Sequence, residues 1–251
     1  MGLISQKAMV VSAREEASRI GSEIMQQGGN AFDAMVATEM ALAVCYPNAG
    51  NLGGGGFMVY RTHRGEVGAL DYREKAPLLS HRDMYLDQNK KYIQDKSKTG
   101  ALAVGVPGTI AGIIKAHKKF GSLPMQTILR PVILLAKNGF KITEKQAKQF
   151  NRYSAIFKQV NQENSIYTKA FKAGDIFKNK ALANTLQQIS DHGRKAFYQG
   201  EIAKTLVAFL QKNNGIISLK DLKNYQAIWR DPIVFNYKDL RIISMSPPSS
   251  G

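Results

Sequence analysis

Apolar residues recur at helical spacing from the start of the chain. Ala17, Ile20, Gly21, Ile24 and Met25 fall on one face at i, i+3 and i+4 positions. Ser12, with Glu15 three residues on, forms a capping box that predicts where this helix begins. Residues 8–11, just before it, are short, apolar and β-prone, and predict a strand. Gly28-Gly29 stops the helix, and Asn30 caps a second one with Asp33 in its first turn, where a carboxylate favours the helix dipole. Nearly every position from 31 to 44 is apolar, which predicts a central helix buried on all sides and ended by Pro47. After Gly50–Gly56, residues 57–61 and 67–72 predict a β-hairpin around Arg64-Gly65. Residues 101–106 predict a further strand, and 109–120 an apolar helix after Pro107-Gly108. Another helix begins near Pro124; Pro131 predicts a kink or a division in it, and Gly139 its end. Residues 143–215 carry mainly amphipathic helices, one over 201–213 with Ile202, Leu206, Phe209 and Leu210 on a face. Ser218 and Asp221 predict a short capped helix, and residues 232–237 and 240–245 a closing hairpin around Lys238-Asp239. Antiparallel strand pairs mixed with helical blocks predict an α+β or layered α/β fold. No repeat, low-complexity tract or linker divides the chain.

Composition narrows the class. The 251 residues are 44% hydrophobic and 22% charged, ordinary globular values. No apolar run of about 18 residues predicts a transmembrane helix. The first eleven residues lack the long apolar core of a secretory signal. A single cysteine, Cys45, excludes an internal disulfide framework and a multi-cysteine zinc site. The net charge of +16 is uneven, since residues 141–220 hold fourteen basic and five acidic side chains. Those lysines, such as Lys141, Lys145, Lys148 and Lys158, stand singly between apolar helical positions, and no nucleic-acid module signature with interleaved aromatics is present. They read as a solvated cationic surface, and no nucleic acid is expected as a partner.

Candidate chemistry is sparse. Gly53–Gly56 matches neither a phosphate loop nor a dinucleotide loop, because Lys-Ser/Thr is absent and a strand follows. It reads as a tight packing turn between the buried helix and that strand. Arg73 follows a predicted strand, where a guanidinium can hold a carboxylate through two parallel hydrogen bonds. On the residues alone it reads as an exposed or salt-bridged arginine. His63, His81, His117 and His192 lack metal-ligand spacing, and Cys45 sits among apolar helical neighbours as a small hydrophobe. Ser249-Ser250 lacks the Gly-x-Ser-x-Gly elbow, and Asp83 with Asp87 offers spacing without evidence of a catalytic pair.

Taken in order, several segments resemble the large subunit of γ-glutamyltranspeptidases. They are Gly28-Gly29-Asn30-Ala31-Phe32-Asp33-Ala34, Tyr46-Pro47, Gly50-Asn51-Leu52-Gly53-Gly54-Gly55-Gly56-Phe57-Met58, Asp71-Tyr72-Arg73-Glu74-Lys75-Ala76-Pro77 and Arg82-Asp83-Met84-Tyr85. Val106-Pro107-Gly108-Thr109, Asn138-Gly139-Phe140, Phe197-Tyr198-Gln199-Gly200 and Pro247-Pro248-Ser249-Ser250-Gly251 continue the series. The resemblance implies a layered αββα sandwich of the N-terminal-nucleophile hydrolase type, incomplete in this chain. Residues 1–251 would be the N-terminal, large-subunit portion of one such domain, interrupted near Gly251.

The implied activity is γ-glutamyl transfer and hydrolysis on glutathione and related compounds, with amino acids or peptides as acceptors. The nucleophile would be an N-terminal threonine freed by autoproteolysis of a precursor. That threonine opens a Thr-Thr-His type of segment beyond the Pro-Pro-Ser-Ser-Gly stretch. The one Thr-His here, Thr62-His63, lies inside the predicted hairpin with the wrong flanks. The resemblance thus places no catalytic residue in this chain, makes the small subunit its partner, and predicts inactivity in isolation. Arg73 matches the arginine that binds the α-carboxylate of the γ-glutamyl group. No metal and no organic cofactor is implied, and the location implied is periplasmic or secreted. An acylase or a poly-γ-glutamate-cleaving enzyme on the same scaffold is the alternative, and a non-enzymatic basic binding protein a more distant one.

Overall fold

The computed structural model describes residues 4–161 and 165–250. Met1 and Gly251, which the sequence reading touched, lie outside the described residues.

The first helix, α1 (Glu15–Gln26), starts two residues later than a cap at Ser12 predicts. Arg14 is its extended first flanking residue and offers no side-chain cap. The Ser12 hydroxyl bonds instead to the Arg14 carbonyl at 2.8 Å and to the Ser18 hydroxyl at 2.8 Å, so it is spent on the turn before the helix. Residues 8–11 form no strand. No strand among the described residues pairs with them in a ladder, and Val11 is largely exposed. Ala17, Ile20, Gly21 and Ile24 are buried against α2 (Ala31–Cys45). A side chain at Gly21 would run into the Thr38 hydroxyl, so glycine there sets how closely the two helices approach. In α2 the Asn30 side chain accepts from the Phe32 and Asp33 amides while Asp33 accepts from the Asn30 amide, which is the expected cap made reciprocal.

The hairpin forms as β1 (Phe57–Arg61) and β2 (Val67–Asp71), with Phe57 opposite Asp71. Residues 101–106 are not a strand. Ala101–Ala103 make a 3₁₀ turn and Val106 alone pairs, with Lys75. Gly105, packed against the Glu74 side chain, and Pro107, which lacks an N–H, leave too little backbone there for a ladder. Next come α3 (Thr109–Phe120) and α4 (Met125–Asn138). Pro131 does not divide α4. Ile128, Leu129, Val132 and Leu135 around it are buried, and that packing against α2 holds the helix continuous.

Two-residue strands β3 (Phe140–Lys141) and β4 (Ile176–Phe177) pair across α5 (Glu144–Asn161). Then follow α6 (Lys180–His192), α7 (Arg194–Tyr198), α8 (Glu201–Lys212) and the capped α9 (Leu219–Asn224). The buried face of α8 is Ala203, Val207 and Leu210; Phe209, expected on it, is exposed. A short strand that the sequence reading did not foresee, β5 (Ile228–Arg230), adds antiparallel to β2 with Ala69 opposite Arg230. The closing hairpin is β6 (Ile233–Tyr237) with β7 (Leu240–Ser244). Helices thus pack around a three-stranded sheet in the order β1-β2-β5, with a shared apolar core through Met40, Leu70, Ile110, Ile128 and Tyr198.

Candidate substrate-carboxylate site

Arg73 lies two residues past the end of β2, and its position is set by the main chain. Mutual amide–carbonyl bonds between Gly56 and Tyr72, at 3.0 and 3.3 Å, carry the β1–β2 ladder one step further. The Arg73 amide then donates to Asp71 Oδ1 at 3.0 Å, and the Tyr225 hydroxyl donates to the Arg73 carbonyl at 2.7 Å. Asp71 is buried, and Arg230 on β5 donates to its other oxygen through Nε and Nη2, both at 2.8 Å. Beyond Arg73, Lys75 exchanges amide bonds with Val106, and its ammonium reaches the Gln226 carbonyl at 3.2 Å.

The Leu78 amide donates to Asp221 Oδ1 at 2.7 Å. Burial pushes the Asp221 carboxyl up, but bonds from the Ser218 hydroxyl and from the Leu78 and Ser218 amides outweigh it and hold the group below its ordinary value. The strand that ends at Asp71 and the loop after it are therefore stitched to residues 221–230 along their length.

The glycine run belongs to the same construction. Gly54 turns its carbonyl to the amides of Gly108 and Thr109, at 2.7 and 3.0 Å, and so caps the start of α3. A Cβ on Gly55 would sit 2.5 Å from the Tyr72 carbonyl and 2.7 Å from the Glu74 amide, so the loop lies directly on the backbone that carries Arg73. This is the packing turn the sequence suggested.

With its main chain fixed, the Arg73 side chain is exposed and its guanidinium carbon lies 5.7 Å from the centre of the Phe57 ring. Among the described residues no carboxylate pairs with this guanidinium, whereas Arg14, Arg19 and Arg230 are paired with Glu16, Glu23 and Asp71. A planar donor fork on a rigid base, without an internal anion, suits two-point capture of a carboxylate.

The other candidates resolve as structural. His117 bonds the Leu123 carbonyl at 2.8 Å, and His63, His81 and His192 are exposed. Cys45 is buried, and burial pushes its thiol up to about 12, which makes it a poor nucleophile. Asp87 accepts from the Asn89 and Lys91 amides within its own turn, and Asp83 is exposed. Thr62 closes the β1–β2 turn by bonding Glu66. Among the described residues no group of three or more His, Cys, Asp or Glu is placed to hold a metal ion, and no helix is long and apolar enough to cross a membrane.

A sequence model of γ-glutamyltranspeptidase matches residues 17–251. The chain belongs to the γ-glutamyltranspeptidase family. It is 40% identical over 251 residues to the glutathione hydrolase proenzyme of Escherichia coli (strain K12), covering 98% of this chain and 43% of that protein. The chain thus spans under half the length of this curated relative. The crystal structure of Helicobacter pylori γ-glutamyltranspeptidase superimposes with a TM-score of 0.96 at 41% identity, over 100% of this chain and 73% of the other. More distant likenesses are the Bacillus anthracis transpeptidase enzyme CapD, at 27% identity and TM-score 0.79, covering 98% of this chain and 79% of that one, and the cephalosporin acylase of Bacillus halodurans, at 25% and 0.83, covering 98% and 50%. The α+β fold, of the N-terminal-nucleophile hydrolase type, is shared with these γ-glutamyltranspeptidases.

The sequence singles out Arg73 as a candidate but does not show what holds its main chain. Tyr225 lies 152 residues away and Arg230 lies 159 from Asp71, and β5 is too short to show an alternating pattern. A second group also escaped notice. Tyr72 donates from its phenol to Glu39 on α2, at 3.2 Å to the nearer oxygen. Burial pushes the Glu39 carboxyl up to about 7, against the opposing pull of that bond.

Proposed function

We propose that this chain is the N-terminal, large-subunit portion of an enzyme that transfers and hydrolyses γ-glutamyl groups of glutathione and related compounds. In this reading Arg73 receives the substrate α-carboxylate. The observation that carries it is the exposed, unpaired Arg73 guanidinium on a backbone locked by Asp71 and Tyr225. The remaining polypeptide supplies the small subunit, whose N-terminal threonine attacks the γ-glutamyl amide. Its own α-amine takes the hydroxyl proton and delivers it to the departing amine as the amide C–N bond breaks, a chemistry open to an N-terminal threonine. The acyl-enzyme passes to water or to an amino-acid or peptide acceptor. Residues 1–251 are one portion of a single domain and are inactive by themselves. The family resemblance further supports an exported, periplasmic or secreted location.

The test is Arg73→Ala in the enzyme that joins this chain to its small subunit. Charge-assisted hydrogen bonds contribute about 1.5–3 kcal/mol, so kcat/KM on a γ-glutamyl anilide should fall roughly 10–100-fold. The loss should appear mostly in KM, because the carboxylate is held alike in ground and transition states. Unchanged kinetics refute the assignment.

The alternative, an acylase or poly-γ-glutamate-cleaving enzyme, draws support from the likeness to the cephalosporin acylase and CapD structures. Identity there is 25–27% against 40–41% for the glutathione hydrolase proenzyme and γ-glutamyltranspeptidase above. Rates on glutathione, a glutaryl amide and poly-γ-glutamate separate the two, since a glutaryl group keeps a carboxylate at the same position for Arg73 and lacks only the α-amino group.

A further inference from the structure

Binding a carboxylate through two parallel bonds demands that the guanidinium sit within about half an ångström of its place. An exposed arginine side chain has several free torsions and cannot secure that by itself. In this structure both main-chain polar groups of Arg73 are taken by side chains rather than by a neighbouring strand. Asp71 takes the amide at 3.0 Å and Tyr225 the carbonyl at 2.7 Å. Neither partner is free to drift. Asp71 is clamped from its other oxygen by Arg230 at 2.8 Å. The Tyr225 ring stacks on Tyr198, with centroids 6.0 Å apart and planes 9° apart. The Tyr198 hydroxyl bonds the Pro107 carbonyl at 2.9 Å and the Ala111 amide at 3.2 Å, at the start of α3. Gly108, in the same turn, lies against the Tyr72 carbonyl and the Tyr225 hydroxyl, where a Cβ would have no room.

We propose that Tyr225 and Asp71 are positioning residues for substrate binding, fixing the origin of the Arg73 side chain so that its guanidinium meets the α-carboxylate of a γ-glutamyl substrate. This rests on the function proposed above and adds residues that act through Arg73 without touching substrate. A role in the β2–β5 pairing alone would stabilise the protein but would not distinguish substrates by their α-carboxylate.

The experiment uses the enzyme with both subunits and two substrates, γ-glutamyl-p-nitroanilide and the same anilide with its α-carboxylate converted to an amide. Tyr225→Phe removes one hydroxyl and keeps the stack on Tyr198. KM for the carboxylate substrate should rise about 3–10-fold, the effect of one lost hydrogen bond, with kcat little changed. Rates on the amide should match wild type, and in the Arg73→Ala background the substitution should add less than about twofold. Asp71→Asn, which retains an acceptor oxygen for the Arg73 amide, should show the same selectivity for the carboxylate substrate. Equal losses on both substrates, or a loss that persists without Arg73, would overturn the positioning role while leaving the proposed function standing. A wild-type enzyme that cleaves neither substrate would overturn the proposed function, and this inference with it.

Discussion

Asp33→Ala separates a local role for this carboxylate from a structural one. Read locally, Asp33 is the third residue of a capped helix, and removing it should cost about 1 kcal/mol. The fold gives it more to do. Its side chain is fully buried. It accepts from the Asn30 amide at 2.9 Å, the Ser122 amide at 3.1 Å and the Ser122 hydroxyl at 2.5 Å, and His117 lies 3.9 Å away. It therefore ties the start of α2 to the turn after α3. Alanine there leaves three donors without their acceptor. A bond to a charged group contributes about 1.5–3 kcal/mol, and bonds sharing one carboxylate do not add fully. The expected loss is about 3–5 kcal/mol. At 2–4 °C per kcal/mol for a chain of this size, the melting temperature should drop on the order of 10 °C. Asp33→Asn keeps one acceptor oxygen and should fall between the two. Urea and thermal unfolding of the three proteins measure this. A loss near 1 kcal/mol for Asp33→Ala would show that the junction with Ser122 contributes nothing and that only the cap matters.

Two further substitutions probe the neighbourhood of Arg73. Gly108→Ala places a methyl group against the Tyr72 carbonyl and the Tyr225 hydroxyl, and should destabilise by about 1–3 kcal/mol in urea unfolding while raising KM for carboxylate-bearing substrates. Glu39→Gln should change how stability depends on pH. The Glu39 carboxyl titrates near 7 when folded against an ordinary 4.5, so the folded state retains a proton that the unfolded chain has lost. Its favourable contribution is complete below pH 4.5 and disappears as pH rises through 7. The glutamine variant should show a flatter melting profile across that window and melt higher than wild type at pH 8; an unaltered profile would remove Glu39 as its source.

Legibility in the sequence followed the range over which each feature is decided. The Asn30 cap, the Ser218–Asp221 cap and the helix end at Gly139 are settled within a few residues, and all three stand where the sequence put them. Strand character is decided elsewhere. Residues 8–11 and 101–106 have the composition of strands but find no ladder, while Ile228–Arg230 becomes one because β2 offers an edge. Phe209 is apolar enough for the core, yet the face of α8 that meets its neighbours is the one through Ala203, Val207 and Leu210. Arg73 was visible only through family resemblance, since nothing local distinguishes it from a solvated arginine.

The glycine run and Arg73 looked independent in the sequence, and the fold makes them one feature. Gly55 must lack a side chain because the backbone of Tyr72, Arg73 and Glu74 lies on it, and Gly108 because Tyr72 and Tyr225 close on the same point. A side chain at either glycine would displace the peptide units on both sides of Arg73, and with them the direction in which its guanidinium leaves the sheet. Within the run, Gly55 is thus explained by closeness of backbone to backbone, while Gly54 lies against the Asn51 side chain and Gly56 against the Tyr72 ring. The proposed carboxylate-binding group, Arg73, lies one residue layer away, on main chain that Gly55 and Gly108 admit.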